Sequence, residues 1–242
     1  MDQVNEQIEG AGVAKATRLD LDIAGYLVAT GTLLLPRDFF QPPNAITEQF
    51  PTIFCKGNFE LLRRPCVSVV GTRVPSAEGA ARAKRVTSVL VDLGFVVVSG
   101  LAKGIDTVAH KTAIERGGLT AAVLGTPIHK IYPAENKALA AEIASKCILL
   151  SPALPHEEKG QYLFPRRNRL MALLSMATII IEAGETSGVV HQAAECLKQG
   201  RKLLLLKSLV DNSALTWPAK FIKSGAHVVE SPDDLKGLLA QC

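Results

Sequence analysis

From residue 65 onward, short apolar runs alternate with longer mixed stretches. The runs are "CVSVVG", "FVVVSG", "AAVLG", "CILLS", "ATIIIEAG" and "KLLLLKS", and most close on Gly or Ser. Apolar runs this short, bounded by chain breakers, read as buried strands. Between them lie stretches such as "AEGAARAKRVTSVLVDLG" and "IDTVAHKTAIERGG", whose apolar positions recur at helical spacing. Strands and helices in this alternation predict an α/β fold: a Rossmann-like, doubly wound, mostly parallel sheet. A closed barrel of the (β/α)8 kind needs more strands than the pattern supplies.

The chain before residue 65 is patterned differently and predicts a small N-terminal extension. It offers a helix within "LDLDIAGYLVATG", a break at "QPPN" and a short strand around "TIFCKGN". Its apolar content is too small for a core of its own, so it is expected to pack against the strands and helices beyond residue 65. The expected division is residues 1–64, helical and extended, and residues 65–242, the Rossmann-like domain.

Composition sharpens this picture without changing it. With 48% hydrophobic and 21% charged residues the chain is not disordered, and its few aromatics suit buried parallel strands. A net charge of +4 permits a nucleic-acid partner if the charge is concentrated. The five cysteines, Cys55, Cys66, Cys147, Cys196 and Cys242, are scattered and contain no CxxC, which predicts reduced thiols in a cytoplasmic protein rather than disulfides or a zinc site. The start, "MDQVNEQIEGAG", is polar and acidic, unlike a secretory signal, and no uncharged apolar run reaches membrane length.

In an open α/β sheet, ligands bind beyond the carboxyl ends of the strands, where helix N-termini also favour anions. Three glycine-containing turns fall there. One carries Gly71, Thr72 and Arg73; the second carries Ser99, Gly100, Lys103 and Gly104; the third carries Gly184, Thr186, Ser187 and Gly188. A single such turn is explained by steric need alone. Three on one edge, with Arg73 and Lys103 inside them, point to an anion site. The stretch "FPRRNRLMALLS" adds Arg166, Arg167, Asn168 and Arg169 just where a helix is expected to begin. Cations in a first turn oppose the helix dipole, so an acid or a bound anion is expected to compensate them.

Other chemistries fit less well. There is no GxGxxG after the first strand and no GxxxxGK[ST] anywhere, which argues against a dinucleotide or a P-loop site. No metal-ligand cluster and no cofactor site are expected. The pairs Asp106/His110 and Ser187/His191 have helical spacing but read as caps or ordinary hydrogen bonds. Glu182 is the best lone candidate for a base.

The ordered set "FPTIFCKGN", "VSVVGTR", "VVSGLAKGIDTVAH", "AVLG", "IYPAEN", "FPRRNR" and "IIEAGETSGVVHQAAE" resembles the DNA-processing protein A (DprA/Smf) family over about residues 50–201. The resemblance implies a Rossmann-like domain that binds single-stranded DNA in a basic pocket, protects it during natural transformation and loads RecA onto it. It also implies a homodimer without enzymatic activity. Matched by motif, the DNA-binding candidates are Gly71, Thr72, Arg73, Ser99, Gly100, Lys103, Gly104, Arg166, Arg167, Asn168, Arg169, Ser187 and Gly188, with Arg167 and Arg169 leading. The nearest aromatics expected are Tyr162 and Phe164. The chain departs from the family pattern at "GTPIHKIYP", with Pro127 and His129, and at Leu173, where glycine is usual. Its last residues leave no expected room for the winged-helix module many members carry. Two alternatives remain: a phosphoribohydrolase-like enzyme using Glu182 or Glu195, whose "PGGxGT" signature is missing, and a nucleotide-signal sensor on the same scaffold.

Overall fold

The computed structural model of the chain describes residues 26–36, 39, 45–157 and 162–241. The break at "QPPN" and most of the "LDLDIAGYLVATG" helix lie outside these residues, although residues 26–30 are helical. Among the described residues nine strands form one sheet: β1 (Leu33–Leu34), β2 (Phe54–Gly57), β3 (Cys66–Val70), β4 (Val96–Ser99), β5 (Leu119–Val123), β6 (Ile148–Ser151), β7 (Ala177–Ile180), β8 (Lys202–Leu206) and β9 (His227–Val229). Their order is β1-β2-β6-β5-β4-β3-β7-β8-β9. From β6 across to β9 every pair is parallel, while β1 and β2 add on antiparallel. The parallel strands are buried on both faces, which is why they read as unbroken apolar runs.

The helices are α1 (Ala45–Gln49), α2 (Ala77–Asp92), α3 (Ile105–Glu115), α4 (Lys137–Lys146), α5 (Leu163–Leu174), α6 (Val189–Lys198), α7 (Lys207–Val210), α8 (Trp217–Lys223) and α9 (Pro232–Ala240). Alternate residues of the central strands divide the core. Val67, Val69, Val97, Ile179 and Leu204 pack with Ala83 and Leu90 of α2, Ala109 of α3 and Leu235 of α9. Val70, Val96, Val98 and Leu205 belong to the larger cluster with Leu170 and Met171 of α5 and Ala193 and Cys196 of α6. Some polar groups inside this core are paired, as where the Ser68 and Ser175 hydroxyls meet at 2.8 Å.

The N-terminal segment does not stand apart from the sheet. Phe54 aligns with Ser151 and Gly57 with Ile148, so β2 covers the edge that β6 leaves open. The feature that places a ligand site is the reversal of strand order. β4, β5 and β6 extend from one side of β3, and β7, β8 and β9 from the other. The turns leaving β3, β4, β5 and β7 therefore share one rim at the switch point.

Candidate nucleic-acid interface

The turn after β3 is held at both sides through one residue. The Thr72 N–H donates to the Glu182 carbonyl after β7 (2.7 Å), and the Thr72 carbonyl accepts from the Ile105 N–H at the start of α3 (3.1 Å). Arg73 leaves this fixed turn and is exposed. Next to it, Gly104 adopts a φ of +74°, and a β-carbon there would stand 2.3 Å from the Thr72 carbonyl oxygen. The glycines of these two turns thus let two backbones meet.

The loop after β4 is clamped from both of its polar edges. Asp106 returns its carboxylate to accept from the N–H groups of Gly100 (3.2 Å) and Ala102 (3.3 Å). The Asn136 side-chain amide donates to the Leu101 carbonyl (2.9 Å) and the Thr107 hydroxyl (2.9 Å). Between the clamps, Leu101 is fully buried at a φ of 56°, a left-handed conformation unusual for a leucine. Such a residue persists where its surroundings hold it, as the three bonds to Gly100, Leu101 and Ala102 do.

The arginines of α5 point in three directions. Arg166 pairs with Glu157 at 3.5 Å and lies over the Phe50 ring, its Cζ 5.8 Å from the centroid. Arg169 pairs with Glu195 of α6 at 3.0 Å, and Gln199 donates to the same carboxylate oxygen at 2.7 Å. Arg167 alone turns into the rim. Its guanidinium lies against Gly100, where a β-carbon would be 1.4 Å from Nη1. Nη1 donates to the Val123 carbonyl at 3.4 Å, and the enclosed Nε has no partner. The compensation expected for cations at this helix start is therefore internal for Arg166, through Glu157, which also accepts from the Leu154 N–H (2.6 Å) and the Tyr162 hydroxyl (2.9 Å).

Arg167, Arg73 and Lys103 line one cleft together with Gly100, Gly125, Thr126, Tyr132 and Phe164. Its enclosed volume is small, about 30 Å³, so it is a shallow, open site. Tyr132 and Phe164 meet edge to face, centroids 6.4 Å apart, and the Tyr132 ring is 54% exposed, free to receive a flat partner. Lys103 is paired with Glu135 at 2.5 Å at the exposed lip. Among the described residues no such ion pair engages Arg73 or Arg167.

Below the cleft floor sits a buried electrostatic group. Burial pulls the Arg167 guanidinium below its ordinary pKa, with attraction to Asp106 opposing and repulsion from Arg73 adding to the effect. Burial raises the Asp106 carboxyl, against the pull of Arg167 and its backbone donors. In both partners burial outweighs the attraction. His110 is pushed down to about 3, first by burial and then by Arg167, so it is neutral at pH 7. Its Nδ1 lies 2.7 Å from the Thr120 hydroxyl, which itself donates to the Val97 carbonyl (2.7 Å). The hydroxyl proton is thus committed to Val97, which leaves the Thr120 oxygen to accept from the imidazole.

Of the residues singled out from the sequence, Arg73, Gly100, Lys103 and Arg167 gather in the cleft. Thr72 and Gly71 form its supporting turn. Ser99 is buried, its hydroxyl donating to the Val69 carbonyl at 2.7 Å. Ser187 accepts from the Val189 N–H (3.2 Å) and with Gly188 shapes the start of α6. Asn168, Arg166 and Arg169 do not line the cleft. Asp106 and His110 bond to separate partners and do not form a dyad. The aromatic beside Phe164 is Tyr132, not Tyr162; "IYPAEN" was the signal, but its approach to α5 depends on the path of a long loop. No group of three potential metal ligands occurs among the described residues.

Comparison with known proteins bears on this arrangement. Residues 36–239 match the sequence profile of the family described as DNA recombination-mediator protein A. The DNA processing protein DprA of Streptococcus pneumoniae is 37% identical over 183 residues, covering 76% of this chain and 64% of that protein. The chain thus spans just under two thirds of that relative's length. The X-ray structure of the Streptococcus protein superposes with a TM-score of 0.69 at 35% identity, over 77% of this chain and 65% of that one. DNA processing protein A from Helicobacter pylori, whose structure addresses its single-stranded DNA binding mode, superposes with a TM-score of 0.73. It is 25% identical and is covered over 96% of its length, against 87% of this chain.

Proposed function

We infer the function from one premise: the chain belongs to the DNA recombination-mediator protein A family. On it, the rim cleft is a binding site for single-stranded DNA, and the chain is a binding protein rather than an enzyme. One observation carries this reading. Arg73 and Arg167, which have no ion-pair partner among the described residues, line a single cleft with two aromatic rings, Tyr132 and Phe164. Cations that track phosphates beside rings that stack bases are the equipment of strand binding without sequence preference. The clamped loops after β3 and β4 present this equipment already in place.

The Streptococcus and Helicobacter relatives support the same reading by what they are. The further parts of it are the protection of incoming single strands, their transfer to RecA during natural transformation, and action as a homodimer in the cytoplasm. No helix among the described residues is long and apolar enough to cross a membrane. The described part of residues 1–64 serves as an extension of the Rossmann-like domain proposed at 65–242. Fluorescent oligo-dT of about 20 nucleotides, titrated at rising salt, tests the central claim. Submicromolar binding that weakens steeply with salt is expected. Absence of binding at low salt would remove it.

A further inference from the structure

In doubly wound folds, the turn from the first parallel strand to its helix is where a ligand phosphate meets a helix N-terminus. Here that turn joins β3 to α2, a helix of 16 residues whose N-cap is Ser76, its hydroxyl accepting from the Gly79 N–H at 2.9 Å. Glu182, just past β7, places its carboxylate there. One oxygen accepts from the Ser76 N–H (2.9 Å), the other from the Ser76 hydroxyl (2.7 Å) and from Arg82 Nη2 (3.3 Å). The carboxylate lies over Gly79, where a β-carbon would stand 1.8 Å from Oε2. A backbone N–H, a hydroxyl and a guanidinium around one anion at a helix N-terminus are the usual surroundings of a bound phosphate.

We propose that Glu182 is an internal stand-in for phosphate. It is a specificity-determining residue that keeps phosphate groups out of the switch-point crevice, leaving the Arg73–Arg167 cleft as the place where a strand's backbone is held. Space does not explain the exclusion. The crevice beside Glu182, bounded by Thr72, Arg82, Gly184, Ser208 and Asn212, measures about 440 Å³, within the range of small-ligand sites. The negative charge does, since a phosphate entering would meet a carboxylate that holds its donors. Arg82 also keeps an enclosed Nε–H without a partner, a donor that a phosphate replacing the carboxylate can use. Only the role given to the cleft rests on the DNA-binding reading; the filling of the crevice stands on its own geometry.

The test compares thermal unfolding of the wild-type chain, Glu182→Ala and Glu182→Ser in phosphate and in chloride at equal ionic strength. Each variant is expected to gain about 3 °C more from phosphate than the wild type does. The amide resonances of Ser76 and Gly79 should shift with phosphate in the variants and stay unmoved in the wild type. A variant that folds only in phosphate supports the proposal equally. No extra gain in either variant overturns it, as does failure of both to fold in both buffers or a wild-type response at Ser76 and Gly79. Oligo-dT binding of the wild type, read in parallel, reports separately on the DNA-binding reading.

Discussion

The guanidinium of Arg167 rests against the α-carbon of Gly100, closer than any side chain at that position allows. The contact joins the helix that carries the arginine to the loop that forms the cleft floor. It makes a glycine, with no charge of its own, a determinant of where a charge sits.

Gly100→Ala should therefore imitate loss of Arg167 while leaving the net charge intact. A β-carbon must displace Nη1, and the cation then leaves the cleft. We expect oligo-dT affinity to fall about tenfold, comparable to the loss of one well-placed charged contact. Fluorescence anisotropy at fixed salt measures it. Unchanged affinity would mean that Arg167 does not touch the strand.

The arginines of α5 should separate in their salt dependence. Arg167→Ala and Arg73→Ala are each expected to reduce the slope of log affinity against log salt by about 0.7, one phosphate contact on a single strand. Arg169→Ala, which loses a pairing with Glu195 across α5 and α6, should leave the slope unchanged. A reduced slope in Arg169→Ala would move the binding surface toward α6.

Tyr132→Ala should weaken binding by roughly 1–3 kcal/mol, the range of base–aromatic stacking, without altering the salt slope. Its ring is over half exposed at the cleft, so its removal is not expected to unfold the chain. Titrations of the variant at several salt concentrations distinguish a stacking loss from a charge loss.

Stability should fall as the pH drops below about 6.5, and His110 should be one cause. Its folded pKa is depressed to about 3, so between those values the unfolded chain takes up a proton that the native state refuses. The limiting cost is about 1.4 kcal/mol per pH unit. Asp106 works in the other direction: its raised carboxyl lets the native state keep a proton that the unfolded chain releases, a contribution lost as pH rises. Urea unfolding from pH 7 to pH 4 should show a shallower decline in His110→Gln than in the wild type. Equal slopes would exclude His110 as the source.

Much of the fold was legible because the parallel strands are buried on both faces and so appear as unbroken apolar runs. The rim was legible through its glycines and through Arg73 and Lys103, which lie within a few residues of strand ends. What spacing alone did not carry is direction. Arg166, Arg167 and Arg169 lie within one turn or so of α5, yet helical geometry sends them to Glu157, to the cleft and to Glu195. Asp106 and His110, four apart on α3, read from their spacing as caps or ordinary hydrogen bonds, and each is indeed claimed by a backbone or hydroxyl group of its own. Glu182 looked like a base because it ends a strand beside glycines. Its three donors come from Ser76 and Arg82, about a hundred residues earlier, which local pattern does not disclose.

The double clamp on Leu101 has a kinetic consequence. With Asp106 and Asn136 holding the loop from opposite edges, no segment of the cleft floor waits to be ordered by its ligand. Encounter with a strand is then limited by diffusion and by the field of Arg73 and Arg167, not by a rearrangement of the floor. Uncharged substitutions within the cleft, Tyr132→Ala among them, should show themselves chiefly in how long a strand stays, whereas loss of Arg73 or Arg167 should also slow its arrival.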